Sequence, residues 1–417
     1  MSSSQLLINY DAVPEDDSKG ASVFSSVANV SNAITGAAVL TLSYAILYAG
    51  LISGLVVLLL VALISAFSFS FLSECCAHTN EYSYKGIAKK TLGKSFGTVV
   101  ESLIVCYTAG TCISYCVILG DFMPSLSQFI LPATAHRMFF DRRVLIIATA
   151  LLILLPLCLL PNIDALRYTS AASLFCPIYL ILMMGYRLYT NTFVIYEPRG
   201  EIEYFKFSTE LFAALPLMGV SFTAHYNIPK MYQELKQRSV RKFRAVIFFS
   251  VTLCLVLYSS AATLGYVTFR STTKDDILNN YGSGDIAASF GRAIMGLSIA
   301  LSFPLVCFGL RNGIQNVFIK DLSPEKAGRR QAVLSTSIIS VSVAVAILEE
   351  SVTKVIRVSG SLFGFFITCV FPGLFYLKCT KGMENVGFKR VVARFIILVG
   401  LLLMVNCTYA SIMSFFQ

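Results

Sequence analysis

The chain has 417 residues, 56% hydrophobic and 13% charged, with a formal net charge of +10. A charged fraction about half the ~25% usual for soluble domains excludes an ordinary soluble globule, which has no core large enough for that apolar content. The basic excess does not point to nucleic acid, because about two-thirds of the 33 Lys and Arg gather in alternate loops between apolar runs.

Residues 1–22 are polar, carry Asp11, Glu15, Asp16 and Asp17, and lack the regions of a cleaved signal peptide. They are expected to form a short disordered cytoplasmic tail, with 23–417 a single transmembrane domain. A helical span needs about 20 apolar residues. Eleven runs qualify: 25–48, 51–73, 98–123, 144–160, 168–186, 211–228, 245–269, 286–310, 332–348, 355–377 and 391–416. The expected fold class is all-α, a polytopic membrane protein in the lipid bilayer. With the N-terminus in the cytoplasm, every inner loop of appreciable length is basic. The runs "KQRSVRKFR" and "SPEKAGRR" then serve as topology signals and headgroup contacts.

The first span is interrupted at "SNAITGAAVLTLSYAILYAG", where Asn32, Thr35 and Gly36 stand in an apolar run. Backbone polar groups in a bilayer must be satisfied internally, so such residues mark either tight helix packing or a deliberately unwound site. The sixth span repeats the pattern in "ALPLMGVSFTAHYNIPKMYQEL", with Pro216, Gly219, Ser221, Thr223 and His225. Interrupted spans in corresponding places of two halves point to an inverted-repeat transporter. Free amides at a half-helix end suit a carboxylate, and free carbonyls suit a cation or ammonium, so the pair suits a zwitterion.

The eighth span adds Ser298 and Ser302, one turn apart before Pro304, as candidate oxygens for a small cation beside a broken helix. Glu101 and Asp121 bracket the third span, and Glu210 and Arg292 sit at outer ends; all four are expected to be solvated at headgroup level. His225, beside Asn227 and before Pro229, is a candidate for gating or proton transfer, or a packing residue; Glu101 is the other candidate for gating or proton transfer. The twelve cysteines fall within spans or at their inner ends, so no disulfide framework is expected. Cys75-Cys76 is compatible with palmitoylation, although buried filler is the simpler reading. The three histidines are far apart and no His/Cys cluster has metal spacing, so neither metal nor other cofactor is expected.

Taken together, "SSVANVSNAITGAAVLTLSYAILYAG", "YKGIAKKTLGKSFG", "ISYCVILGDFMPSL", "IDALRYTSAASLFCPIYL", "VSFTAHYNIPKMYQELKQRS", "LGYVTF", "SFPLVCFGLRN" and "VSGSLFGFFITCVFPGLFYLK" resemble the amino acid/auxin permease family. Within it the chain is similar to the sodium-coupled neutral amino acid transporters and their vacuolar relatives. The resemblance implies a five-plus-five inverted repeat with an eleventh helix. It also implies secondary active transport of amino acids driven by sodium or protons, at a plasma, vacuolar or lysosomal membrane. It places Asn32 with Ser298 or Ser302 at a cation site. The backbone of Thr35, Gly36, Ala37 and Ala38 would receive the substrate carboxylate, and Gly219, Ser221 and Thr223 the amino group or side chain. Where the family commonly reads Gly-Ser-Gly, this chain has Gly36-Ala37-Ala38, which narrows the permissive backbone. A short, cysteine-free outer loop before the sixth span weighs against a cell-surface system-A-type transporter. The lack of acidic residues in the two interrupted spans favours a neutral substrate. An amino acid-binding sensor with little flux is the alternative; an intramembrane enzyme would need a buried nucleophile-base pair that the sequence does not offer.

Overall fold

The computed structural model describes residues 20–131, 141–160, 174–192, 199–206, 208–319, 327–383 and 386–413. The expected tail up to Lys19, together with His136 and Arg167, lies outside the described residues. In chain order the helices are α1 Val23–Ile34, α2 Leu42–Ala49, α3 Leu51–Thr79, α4 Tyr84–Leu92, α5 Lys94–Ile130, α6 Arg142–Leu159 and α7 Phe175–Thr190. There follow α8 Leu211–Ser221, α9 Ile228–Glu234, α10 Val240–Phe269, α11 Ile286–Phe318, α12 Ala327–Leu348, α13 Val352–Cys379 and α14 Gly387–Met413. Among the described residues the only extended-chain pairing is an isolated bridge between Ala21 and Leu235. Eight of these helices (α3, α5, α6 and α10 to α14) are long and apolar enough to cross a bilayer. The protein is an integral multi-pass membrane protein.

Runs of this length are helical because a single segment satisfies its own backbone within lipid only as a helix. Side chains at the water-facing ends then fix where they start. Ser83 caps α4 through Gly86 N at 3.0 Å, and Ser239 caps α10 through Lys242 N at 3.2 Å. Asp141 caps α6 through Arg143 N and Val144 N, at 2.9 and 3.2 Å. Gly50 joins α2 to α3 at φ +81°, and a Cβ there would lie 2.7 Å from Lys206 N, so only glycine makes this turn.

The long helices α5 and α11 pack on each other, and α10 packs on α3, α1, α2 and α7. Helix α13 is mostly buried, whereas α14 is mostly exposed and turns Phe388, Phe395 and Val405 outward to lipid. Helices α2 and α10 approach so closely that a Cβ on Gly265 would sit 2.8 Å from Ser43 Cβ. Ser43 Oγ donates across that seam to Ala261 O at 3.1 Å.

Charges lock both ends of the bundle. On the side of the basic loops, Glu74 of α3 accepts from Arg244 of α10 at 2.7 Å and from Lys389 of α14 at 2.8 Å. The Glu74 side chain is 9% exposed, against 47% for Arg244 and 36% for Lys389, so both cations can hydrate if it is lost. Glu74→Ala should therefore cost about 2 kcal/mol, short of the ~3–5 kcal/mol of a fully buried pair. The check is the denaturation midpoint in detergent, with Arg244→Ala expected to cost less.

At the opposite side the headgroup-level expectation fails for two of the four charged residues. Asp121 is 13% exposed and receives Arg142 Nε at 2.9 Å, while Arg142 also donates to Ala346 O at 2.8 Å, tying α5, α6 and α12 together. Arg292 is 1% exposed and donates to Leu278 O at 2.8 Å and Tyr281 O at 2.5 Å. The loop between α10 and α11 folds back over it, which sequence position alone does not reveal. Glu210 is exposed and paired with Lys206 at 3.4 Å. Glu101 is half-buried and accepts from Asn316 of α11 at 3.3 Å.

Candidate functional site

The first apolar segment does not run through as one helix. Helix α1 stops at Ile34, Thr35 and Gly36 leave helical geometry at φ/ψ of −77/86° and −103/−155°, and a 3-10 turn over Ala37–Leu40 leads into α2. The segment 211–234 does the same. Helix α8 stops at Ser221, Phe222 to Ala224 are irregular, and a 3-10 turn over His225–Asn227 leads into α9. Each interruption frees carbonyls that an unbroken helix would engage.

The two interruptions are joined by one side chain that sequence reasoning missed. Tyr258 of α10 is fully buried, and its hydroxyl lies 2.8 Å from Ile34 O and 2.9 Å from Ser221 O, the last residues of α1 and α8. Its ring meets Phe222 edge-on, with centroids 5.3 Å apart. Helix α5 crosses both breaks as well. The Tyr107 ring faces Tyr226 at 6.3 Å, beside the second break. Eight residues on, Tyr115 faces Gly36, its hydroxyl 3.9 Å from where a Cβ would stand. The legible signal was the i, i+8 spacing of these two tyrosines in "CYTAGTCISYC". From α13, Phe365 approaches to 3.3 Å of a Cβ placed on Gly219, and Val220 Cγ2 to 2.6 Å of one on Gly360. Helix α13 is locally widened into π turns at Gly360–Gly364 and Phe366–Val370, a distortion found often at functional sites.

A model of the family described as "Transmembrane amino acid transporter protein" matches residues 19–413. The chain belongs to this family. It is also 28% identical over 405 residues to "Vacuolar amino acid transporter 5" of Schizosaccharomyces pombe, a match covering 94% of each chain.

Within this transporter the residues singled out from sequence are placed unevenly. Thr35 and Ala37 are buried; Gly36 and Ala38 are half-buried at the first break. Asn32 Oδ1 and Ser31 Oγ are buried and have no hydrogen-bond partner among the described residues. Thr35 Oγ1 contacts Cys254 Sγ at 3.4 Å. Ser221 and Thr223 turn their hydroxyls to their own helix, onto Met218 O at 2.6 Å and Gly219 O at 3.2 Å. Helix α11 continues unbroken through Pro304, since proline is tolerated where neighbouring helices re-satisfy the backbone. Ser298 and Ser302 are both half-buried. The principal neighbour of α11 is α5, whereas α1 packs on α10. His225 is wholly buried with its ring 4.4 Å from that of Phe69, and neither nitrogen has a hydrogen-bond partner among the described residues.

Outside the spans, one carboxyl is set to respond to pH. Asp276, in the loop before α11, is fully buried; one oxygen accepts from Leu278 N at 2.9 Å and the other has no partner among the described residues. Burial above all, then the nearby Asp121 and Asp275 charges, pushes this carboxyl well above the usual carboxylate range, against the pull of Leu278 N–H and Arg292. The folded protein therefore prefers it protonated. Its stabilising contribution is complete below the ordinary carboxylate range and is lost as pH rises through the raised value. Asp276→Asn, neutral at every pH, should flatten the dependence of thermal midpoint on pH and unfold later than wild type on the alkaline side. Midpoints measured between pH 4 and 9 check this; parallel curves for the two proteins would show that the fold does not raise the Asp276 carboxyl above its ordinary range.

Proposed function

We propose that this protein is a secondary active transporter of neutral L-amino acids, driven by a sodium or proton gradient across a vacuole-type membrane, with its N-terminus in the cytoplasm. One observation carries the reading: two membrane-crossing segments are unwound, and their free ends converge on one buried hydroxyl. Adding the two interrupted segments and the 16-residue α7 to the eight long helices supports eleven crossings, with the interruptions in the first and sixth. That spacing supports a five-plus-five inverted repeat, whose substrate lies between the half-helix ends. The carboxylate would meet backbone amides of Thr35 to Ala38, and the amino group the region of Gly219 to Thr223. Asn32 Oδ1, buried without a donor, supports a cation beside the first break; Ser302 and Ser298 are its remaining candidate ligands. The vacuolar placement follows the S. pombe relative.

The test is radiolabelled amino acid uptake into proteoliposomes under an inward sodium gradient, an inward proton gradient, and neither. Accumulation of a neutral amino acid under one gradient supports the proposal and identifies the coupling ion. Binding without accumulation under any gradient overturns transport in favour of an amino acid sensor.

A further inference from the structure

Helix α10 carries Ser250, Cys254 and Tyr258, each one turn beyond the last, so the three share one face. Each meets a carbonyl of α1 at nearly the same stride. Ser250 Oγ donates to Val27 O at 3.1 Å, Cys254 Sγ to Ser31 O at 3.6 Å, and Tyr258 Oη to Ile34 O at 2.8 Å. The first two are ordinary side-chain contacts along a helix seam. The third differs, because Ile34 ends α1 and its carbonyl otherwise accepts a tight-turn bond from Gly36 N at 2.9 Å. The same hydroxyl is 2.9 Å from Ser221 O, where α8 ends.

Two carbonyl oxygens at the ends of two half-helices carry like partial charge and repel when brought to one point. A cation or a shared proton donor must sit between them if they are to stay close. Here the phenol supplies the donor, held from the far side by the α10 backbone and wedged by Phe222. Phe222 is itself the first residue of the second break.

We propose that Tyr258 is a positioning residue for transport: its hydroxyl fixes how the two unwound segments face one another and so sets the shape of the substrate cradle. Without the hydroxyl the two carbonyls separate, and the amino acid must bind to segments that it has itself to order. The loss falls on substrate affinity more than on the rate of the transport cycle. The inference rests on the transport reading above.

The experiment compares wild type, Tyr258→Phe, Tyr258→His and Ser250→Ala as full-length proteins in proteoliposomes. Uptake of radiolabelled L-alanine, L-leucine and L-glutamine is measured as KM and maximal rate under the better of the two gradients. Tyr258→Phe keeps the ring and its contact with Phe222 and loses only the donor. Its KM is expected to rise about tenfold, the scale of a lost buried hydrogen bond, with the maximal rate within threefold of wild type. Tyr258→His returns an N–H to the site and is expected to recover part of the affinity. Ser250→Ala, which loosens the same seam away from the breaks, should leave KM within twofold.

An unchanged KM in folded Tyr258→Phe overturns the inference, as does an equal rise in Ser250→Ala, which would make the effect one of helix docking. Should Tyr258→Phe not fold, Tyr258→Met, which also lacks the donor, decides: a tenfold rise in KM supports the role, and a KM within threefold of wild type in the folded protein overturns it. If wild type accumulates none of the three amino acids, the transport reading fails. Uptake by wild type with an indifferent Tyr258→Phe defeats only the present inference.

Discussion

Asn32→Ala is expected to give a folded protein whose uptake no longer responds to the coupling gradient. The Asn32 amide oxygen is buried near the end of α1 and has no donor among the described residues. An unpartnered buried oxygen costs about 1–3 kcal/mol to hold there. Removing it sacrifices no internal bond of that oxygen, so the thermal midpoint should hold or rise slightly. A coupling cation that uses this oxygen loses a ligand, and the gradient-dependent part of uptake should fall by about tenfold or more. Uptake with and without each gradient, at matched protein density, measures this. Normal gradient dependence in a folded Asn32→Ala protein would remove Asn32 from the coupling site.

Gly36→Leu should abolish uptake by steric filling while leaving the fold alone. Gly36 lies at φ −103°, a backbone that any L-residue adopts, so the substitution introduces no backbone strain. A Cβ there meets only the Tyr115 hydroxyl, at 3.9 Å, which is ordinary contact. Gly36→Ala should accordingly keep uptake and shift preference towards smaller amino acids. The longer leucine side chain enters the space between Tyr115 and the first break, where substrate is proposed to sit. At roughly tenfold or more per misplaced methylene in a fitted pocket, it should reduce uptake below detection. Competition profiles for Gly36→Ala and initial rates for Gly36→Leu check the two halves. Wild-type rates in Gly36→Leu would move the substrate elsewhere.

These effects concentrate at two places where the sequence itself stops looking like a membrane helix. Asn32, Thr35 and Gly36 interrupt one apolar run, and Gly219 through His225 another, and α1 and α8 end at Ile34 and Ser221 within those stretches. The membrane character was legible for the same kind of reason. Low charge and runs of about 20 apolar residues are properties of neighbours in the chain. The sequence was misleading where a charge near the end of a run was taken to face water. Arg292 and Asp121 are both near ends, and both are covered by other parts of the protein.

Sequence by itself determined that the chain crosses a bilayer as helices and where those helices are least able to continue, because hydropathy and backbone preference act over a few residues. Only the tertiary structure decided which groups meet at the interruptions. Tyr258 stands 224 residues from Ile34 and 37 from Ser221, yet touches both carbonyls. Tyr107, Tyr115 and Phe365 likewise arrive from helices whose rotation no local pattern fixes. Which face of a helix turns inward depends on the fit of every neighbour at once. In a segment apolar all round, the sequence offers no stripe from which to read it.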